Sequence, residues 1–122
     1  LLHLSMLLRQ RRLASLVRAH LMSQVHVFIG SAAAGLTNRY SYPEGERHAV
    51  LVFSLKEDGT DFDWEEASFL ASGRGWHNVV IERAGIVEPA TLDDSSQQLV
   101  HAYNEALTDG SSMIVYTDPI TP

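Results

Sequence analysis

The chain contains no cysteine. That single absence excludes disulfide frameworks, thiolate metal sites and cysteine nucleophiles together. Basic residues are also scarce, nine against fifteen acidic ones in 122 residues, for a net charge of −6. A generic DNA- or RNA-binding protein needs a basic face, so no nucleic-acid partner is expected. No apolar run approaches the ~20 residues of a membrane-spanning helix. Internal repeats and low-complexity tracts are missing too. What is present is a globular composition, 45% hydrophobic and 20% charged, in a length that suits one domain.

The charge is unevenly spread. Residues 1–21 hold Arg9, Arg11, Arg12 and Arg18 and no acid, whereas residues 22–122 hold five basic and fifteen acidic residues, a net −10. Such a switch marks a boundary, and it divides the chain into a basic segment, 1–21, and one acidic α+β domain, 22–122. The recorded sequence opens on Leu1, and Met22-Ser23 leads directly into an apolar stretch. This suggests Met22, or alternatively Met6, as the natural start, with what precedes it a non-native extension. If residues 1–21 are genuine, Leu4, Leu7, Leu8, Leu16 and Val17 place them on one face of an amphipathic helix. That helix would pack on the domain or on a second subunit, lie on an anionic membrane surface, or serve as a targeting peptide; packing is the expectation.

Along the acidic domain, Gln24 to Ile29 reads as a strand and Gly30–Gly35 as a loop of small residues. His48 to Leu55 reads as a second strand; its run Ala49-Val50-Leu51-Val52-Phe53 suggests cover on both faces or a central position. Asp63 caps a helix with Glu66 as its capping-box partner, and Gly73 ends that helix in the left-handed conformation. Trp76 to Val87 holds a third strand. A second helix starts from Thr91 or Asp94, carries Leu99, Ala102, Tyr103, Ala106 and Leu107 at helical spacing, and stops at Asp109-Gly110. Met113 to Tyr116 is a fourth strand. The order β-β-α-β-α-β implies an α+β fold: a mixed four-stranded sheet with two helices on one face, preceded by the N-terminal helix. A sheet with one bare face would then form a homodimer.

Several constellations carry chemistry. Gly73-Arg74-Gly75-Trp76-His77 sets an arginine between two glycines, beside a tryptophan able to stack and a histidine; arginine grips carboxylate or phosphate bidentately. The connection Leu36–Glu46 adds Arg39, Tyr40 and Tyr42. Arg39, Tyr42, His48, Arg74, Trp76 and His77 are therefore the candidate ligand- or partner-binding groups, around a cleft between the 30–47 loop and the sheet. Asp58, Asp61, Glu65 and Glu66, with Asp63, form an acidic surface suited to a basic partner. The cluster lacks the EF-hand spacing, and no H-x-x-x-H or H-E-x-x-H occurs among the six histidines, so neither metal nor cofactor is expected. His26 and His48 occupy comparable positions on neighbouring strands and would face each other. The 30–35 segment lacks the P-loop ending and the G-x-G-x-x-G spacing. Nothing resembles G-x-S-x-G, and no catalytic residue can be named.

These features point to a small cytoplasmic binding or accessory protein, more a binder than an enzyme. It would be a homodimer that engages a basic protein through its acidic surface, as an inhibitor or immunity protein does. The alternative is a small-molecule-binding or enzymatic domain using the loop-bordered cleft. A membrane role would require residues 1–21 to act as an anchor.

Overall fold

The computed structural model describes residues 22–94 and 96–120; the amphipathic segment 1–21 lies outside them. Four strands, β1 (Ser23–Ala34), β2 (Arg47–Glu57), β3 (Trp76–Ile86) and β4 (Ser111–Pro119), form one sheet in the order β3-β1-β2-β4. Helix α1 (Trp64–Ser72) joins β2 to β3. A 3-10 turn (Pro89–Asp94) and helix α2 (Gln97–Asp109) join β3 to β4. The fold is α+β.

Every neighbouring pair is antiparallel, which corrects the expected mixed sheet. The connection through α1 carries the chain past β1, so β3 runs parallel to β2 but is separated from it by β1. The connection through α2 then takes the chain to the opposite edge. Neither strand–helix–strand unit makes its two strands neighbours, so the parallel pairing open to such units is never used.

The helices do not share a face. Alternate residues of a strand point to opposite sides, and the buried residues sort accordingly into two clusters. Phe28, Ala32, Val50, Val52 and Trp76 pack with Ala67 and Ala71 of α1. Val25, Leu51, Phe53 and Ile114 pack with Ala102 and Ala106 of α2. The run Val50-Leu51-Val52-Phe53 is apolar at both parities because one helix covers each side of β2. Phe28, Val50 and Val52 are each 0% exposed, and complete burial of such a side chain contributes about 1.5–3 kcal/mol. With a helix on each side, the bare face that suggested a homodimer is gone.

The small residues 30–34 are strand, not loop. A Cβ on Gly30 would lie 1.9 Å from Val80 O, so glycine lets β1 and β3 approach where their register shifts, between Ile29 and Gly30. The register also separates the two strand histidines: His26 pairs with Ser54 and His48 with Ala32. They lie near opposite ends of the β1–β2 ladder, each 0% exposed.

Asp63 caps α1 by accepting from Glu66 N at 3.0 Å. The Glu66 side chain does not complete a capping box. It reaches β2 instead, accepting from Ser54 Oγ at 2.8 Å and Lys56 Nζ at 2.6 Å. Gly73 stays right-handed at φ −64°; the left-handed residue is Gly75 at φ +88°. Ser96, rather than Thr91 or Asp94, caps α2 by accepting from Leu99 N at 3.3 Å, because residues 89–94 are used in the 3-10 turn. Among the described residues no helix is long and apolar enough to cross a membrane.

Candidate functional site

The loop between β1 and β2 is built around one amide. Asn38 is buried; its Nδ2 donates to Gly35 O at 2.7 Å and to Tyr42 O at 3.0 Å, and its Oδ1 accepts from Tyr42 N at 2.9 Å. Three bonds from one side chain fold residues 35–42 into a fixed arch. The arch rests on the turn after α1: Gly35 N donates to Gly75 O at 2.8 Å. A Cβ on Gly75 would lie 2.6 Å from Asn38 N, so at this point the two segments meet backbone to backbone. Arg39 and Tyr40 are consequently held outward on one side, and Arg74 and Trp76 are held beside them.

Together these residues border a cleft of about 240 Å³. Arg39 and Tyr40 come from the arch and Arg74 and Trp76 from the turn. Gln98, His101, Ala102 and Glu105 come from α2, and Ser112, Met113, Ile114 and Val115 from β4. Arg74 is clamped: Nη1 donates to Leu70 O at 3.1 Å and Nη2 to Ser111 Oγ at 3.0 Å. Arg39 is exposed and makes no hydrogen bond or ion pair among the described residues. His101 and Glu105 stand one helical turn apart, 3.6 Å between Nε2 and Oε1. The volume falls below the ~300–1,000 Å³ of a drug-sized pocket, so the cleft suits a small ligand or one or two side chains rather than a dinucleotide.

The candidate residues separate into three groups. Arg39, Arg74 and Trp76 line the cleft. Trp76 is 1% exposed, so it forms packed wall rather than a free stacking face; Tyr40, 53% exposed, is the ring available to a ligand. Tyr42 and His48 form the layer behind. Their rings lie 4.2 Å apart, with the Trp76 ring 6.0 Å from Tyr42 and 5.6 Å from His48. His48 Nδ1 donates to the acceptor Tyr116 O at 2.7 Å, and Nε2 shares a hydrogen bond with Glu46 Oε1, also at 2.7 Å. His77 is apart from both groups, pairing with Ala33 on β1 and standing over Gly35. Tyr40 was named with the loop chemistry, though outside the set of candidate binding groups, whereas Gln98, His101 and Glu105 were not singled out by sequence. The only signal for these three was their spacing on the polar side of α2, which reads equally well as a solvated face.

The acidic surface is looser than the sequence suggests. Glu66 is tied to Ser54 and Lys56, leaving Asp58, Asp61 and Glu65 exposed. Beside them stand two exposed aromatic side chains, Trp64 at 45% and Phe69 at 77%. No group of three or more metal-ligating side chains forms among the described residues.

A further histidine sits under this surface. With the Gln24 amide oriented to satisfy its neighbours, its carbonyl accepts from His26 Nε2 at 2.8 Å and from Gly59 N at 3.3 Å, and its NH2 donates to Asp58 Oδ1 at 3.0 Å. His26 Nδ1 is buried without a partner, and the ring packs edge-on to Phe62 with centroids 4.7 Å apart. Burial holds its pKa below the ordinary 6.5, with Lys56 acting in the same direction and Glu66 against it.

Comparison of the chain with protein-family models, with curated proteins and with solved structures finds no match in any of the three.

Proposed function

We propose that this α+β domain is a binding protein whose cleft takes a small ligand, or part of one, carrying an anionic group and a flat body. The observation behind this reading is Arg39. It is an exposed guanidinium with no partner among the described residues, held at the mouth of a cleft by a stapled arch. Arg74 supplies a second cation already fixed in place, and Tyr40 a ring to stack on. A charged hydrogen bond of this kind contributes about 1.5–3 kcal/mol, enough to set specificity. The test is a titration of the full chain with small aromatic carboxylates and phosphate esters, followed by heteronuclear NMR. Shifts should cluster at Arg39, Tyr40, Arg74 and His101, and Arg39→Ala should abolish them. That variant should keep its stability to within about 0.5 kcal/mol, as an exposed substitution does. Shifts scattered away from the cleft, or unchanged in Arg39→Ala, would sink the reading.

A second reading is favoured by Phe69 and Trp64. Exposed aromatics flanked by Asp61 and Glu65 have the make-up of a protein-docking surface, suited to a basic partner met in the cytoplasm. Charge reversal at Glu65 should slow association with such a partner and flatten its salt dependence. An unchanged on-rate argues against it.

A further inference from the structure

The two edges of the sheet are protected unequally. Edge strands expose unpaired backbone groups, and proteins blunt them with charge, bulges or cover. β3 is guarded by irregular pairing and by charge. Its pairing with β1 breaks register twice, and it exposes His77, Asn78, Glu82 and Arg83. Along its first half β4 has neither bulge nor charge of its own among the described residues. Its register with β2 runs unbroken from Ser111 to Val115, and no charged residue occurs before Asp118.

The cleft lies on that unguarded edge. Ser112, Met113, Ile114 and Val115 all line it. Consecutive strand side chains point to opposite faces, so four in a row meet one cavity only where the cavity runs along the strand edge. The direction of the backbone agrees. Leu55 N donates to Gly110 O at 2.9 Å, which makes Leu55–Gly110 a hydrogen-bonded pair. Alternation then makes Phe53–Ser112 and Leu51–Ile114 hydrogen-bonded as well. The N–H and C=O groups of Ser111, Met113 and Val115 therefore point away from β2, toward the cleft side.

The charge at this edge is opposite to that of the domain. Of the five basic residues in the acidic part of the chain, Arg47 is bonded to Ser31 and Asn78, Lys56 is bonded to Glu66, and Arg83 is exposed on β3 at the opposite edge of the sheet. Arg39 and Arg74 are both in the cleft.

We infer that the cleft's ligand is an extended acidic peptide that adds to β4 as a fifth, outer strand, its backbone paired with Met113 and Val115 and a carboxylate on Arg39. This rests on the ligand-cleft reading and names its ligand class. Backbone pairing supplies affinity and the arginine supplies selection, the division of labour usual for strand addition. The cleft's small volume fits this mode, since only one or two side chains of the peptide need enter it. Glu105, on the α2 side, repels a carboxylate placed there and so fixes which end of the cleft the acid occupies.

The test is selection of a random octapeptide library displayed on phage against the full chain, then fluorescence anisotropy with the peptide most enriched. The expected result is enrichment of Asp and Glu among β-prone residues. N-methylation of alternate peptide residues and Arg39→Ala should each weaken binding by at least about tenfold. Met113→Pro removes an N–H the ladder does not use, which an edge strand tolerates, and should weaken binding with the fold intact by circular dichroism. Acidic peptides indifferent to N-methylation would overturn strand addition. No acidic enrichment, with small anions still shifting Arg39, would overturn the peptide inference and leave the cleft reading standing; loss of both would remove both. A dimer that Met113→Pro dissociates would assign the edge to a second copy of the chain instead.

Discussion

Gly75 offers the most direct test of how the site is held together. Three glycines share nearly the same left-handed backbone, Gly45 and Gly59 at φ +85° and Gly75 at φ +88°. A Cβ on Gly45 or Gly59 meets nothing within 4 Å, whereas on Gly75 it lies 2.6 Å from Asn38 N, 2.7 Å from Thr37 C and 2.8 Å from Asn38 Cα. Alanine in this backbone region costs about 1–2 kcal/mol, partly offset by about 0.4–1 kcal/mol from the less free unfolded chain. Gly45→Ala and Gly59→Ala should therefore lose roughly 1 kcal/mol or less. Gly75→Ala carries the same conformational cost and must also push the arch off the turn. That endangers the Gly35 N–Gly75 O bond and the Asn38–Tyr42 bonds, each with a net contribution of about 0.5–1.5 kcal/mol. The expected total is about 2–4 kcal/mol, measured by urea unfolding at constant m-value. Because Arg39 follows Asn38 and Arg74 precedes Gly75, the same variant should also displace the amide resonances around the cleft. If Gly75→Ala unfolds within about 0.5 kcal/mol of Gly59→Ala, the arch is not seated on the turn, and the argument for a preformed cleft fails.

Further expectations concern the core, a cap and a titration. Trp76→Ala, which empties the largest fully buried side chain, should cost about 3–5 kcal/mol in urea unfolding; a loss under about 1 kcal/mol would mean the ring is not core. Ser96→Ala should cost about 1 kcal/mol, as loss of a helix cap does, while Thr91→Ala leaves the start of α2 unchanged by amide exchange; the reverse ranking would return the cap to Thr91. His26 is held below its ordinary 6.5 when folded, so below that pH the unfolded chain binds a proton that the folded chain refuses. Stability should then fall as pH drops from 6.5, by up to about 1.4 kcal/mol per pH unit until the folded-state value is reached. His26→Phe should flatten this slope between pH 7 and 5, and an identical slope in the variant would assign the titration elsewhere.

The elements were largely legible from local signals, whereas their arrangement was not. Asp63 announced α1 because capping chemistry is local. Leu99, Ala102, Tyr103, Ala106 and Leu107 announce α2 through their spacing, but its start is ambiguous in the sequence because Thr91 and Asp94 offer the same oxygen chemistry as Ser96. The strand order could not be read, since it depends on which neighbour β3 and β4 find, a long-range choice the periodicity does not encode. The layering does leave one trace in the sequence: Val50-Leu51-Val52-Phe53 is apolar at both parities, which calls for cover on both faces and fits poorly with two helices on one. The segment from Gly30 to Ala34 read as loop because small residues usually mark turns. Here they are small so that Val80 O can approach Gly30 and Trp76 can lie across Ala32 and Ala34.

The candidate site shows the same division between local chemistry and long-range assembly. Arg39 and Arg74 stood out as residues, yet 35 positions separate them, and it is long-range contact, through Gly35 and Gly75 and through Asn38 and Gly75, that brings their segments together. Contributions from α2 were invisible, because Gln98, His101 and Glu105 become cleft residues only when α2 lies across the edge of β4. The net charge of −10 over residues 22–122 pointed toward an acidic docking face, and a net charge has no position. Assigning each cation to its contacts changes the emphasis. Arg47 and Lys56 serve the fold through their bonds to Ser31, Asn78 and Glu66 and Arg83 stands exposed on β3, whereas Arg39 and Arg74 are gathered at one cleft. An acidic domain repels acidic ligands everywhere else on its surface, so two arginines at one edge gain selectivity from the fifteen acids around them. The acidic composition is then a background that directs an anionic ligand to this cleft, as well as a surface that a basic partner would meet.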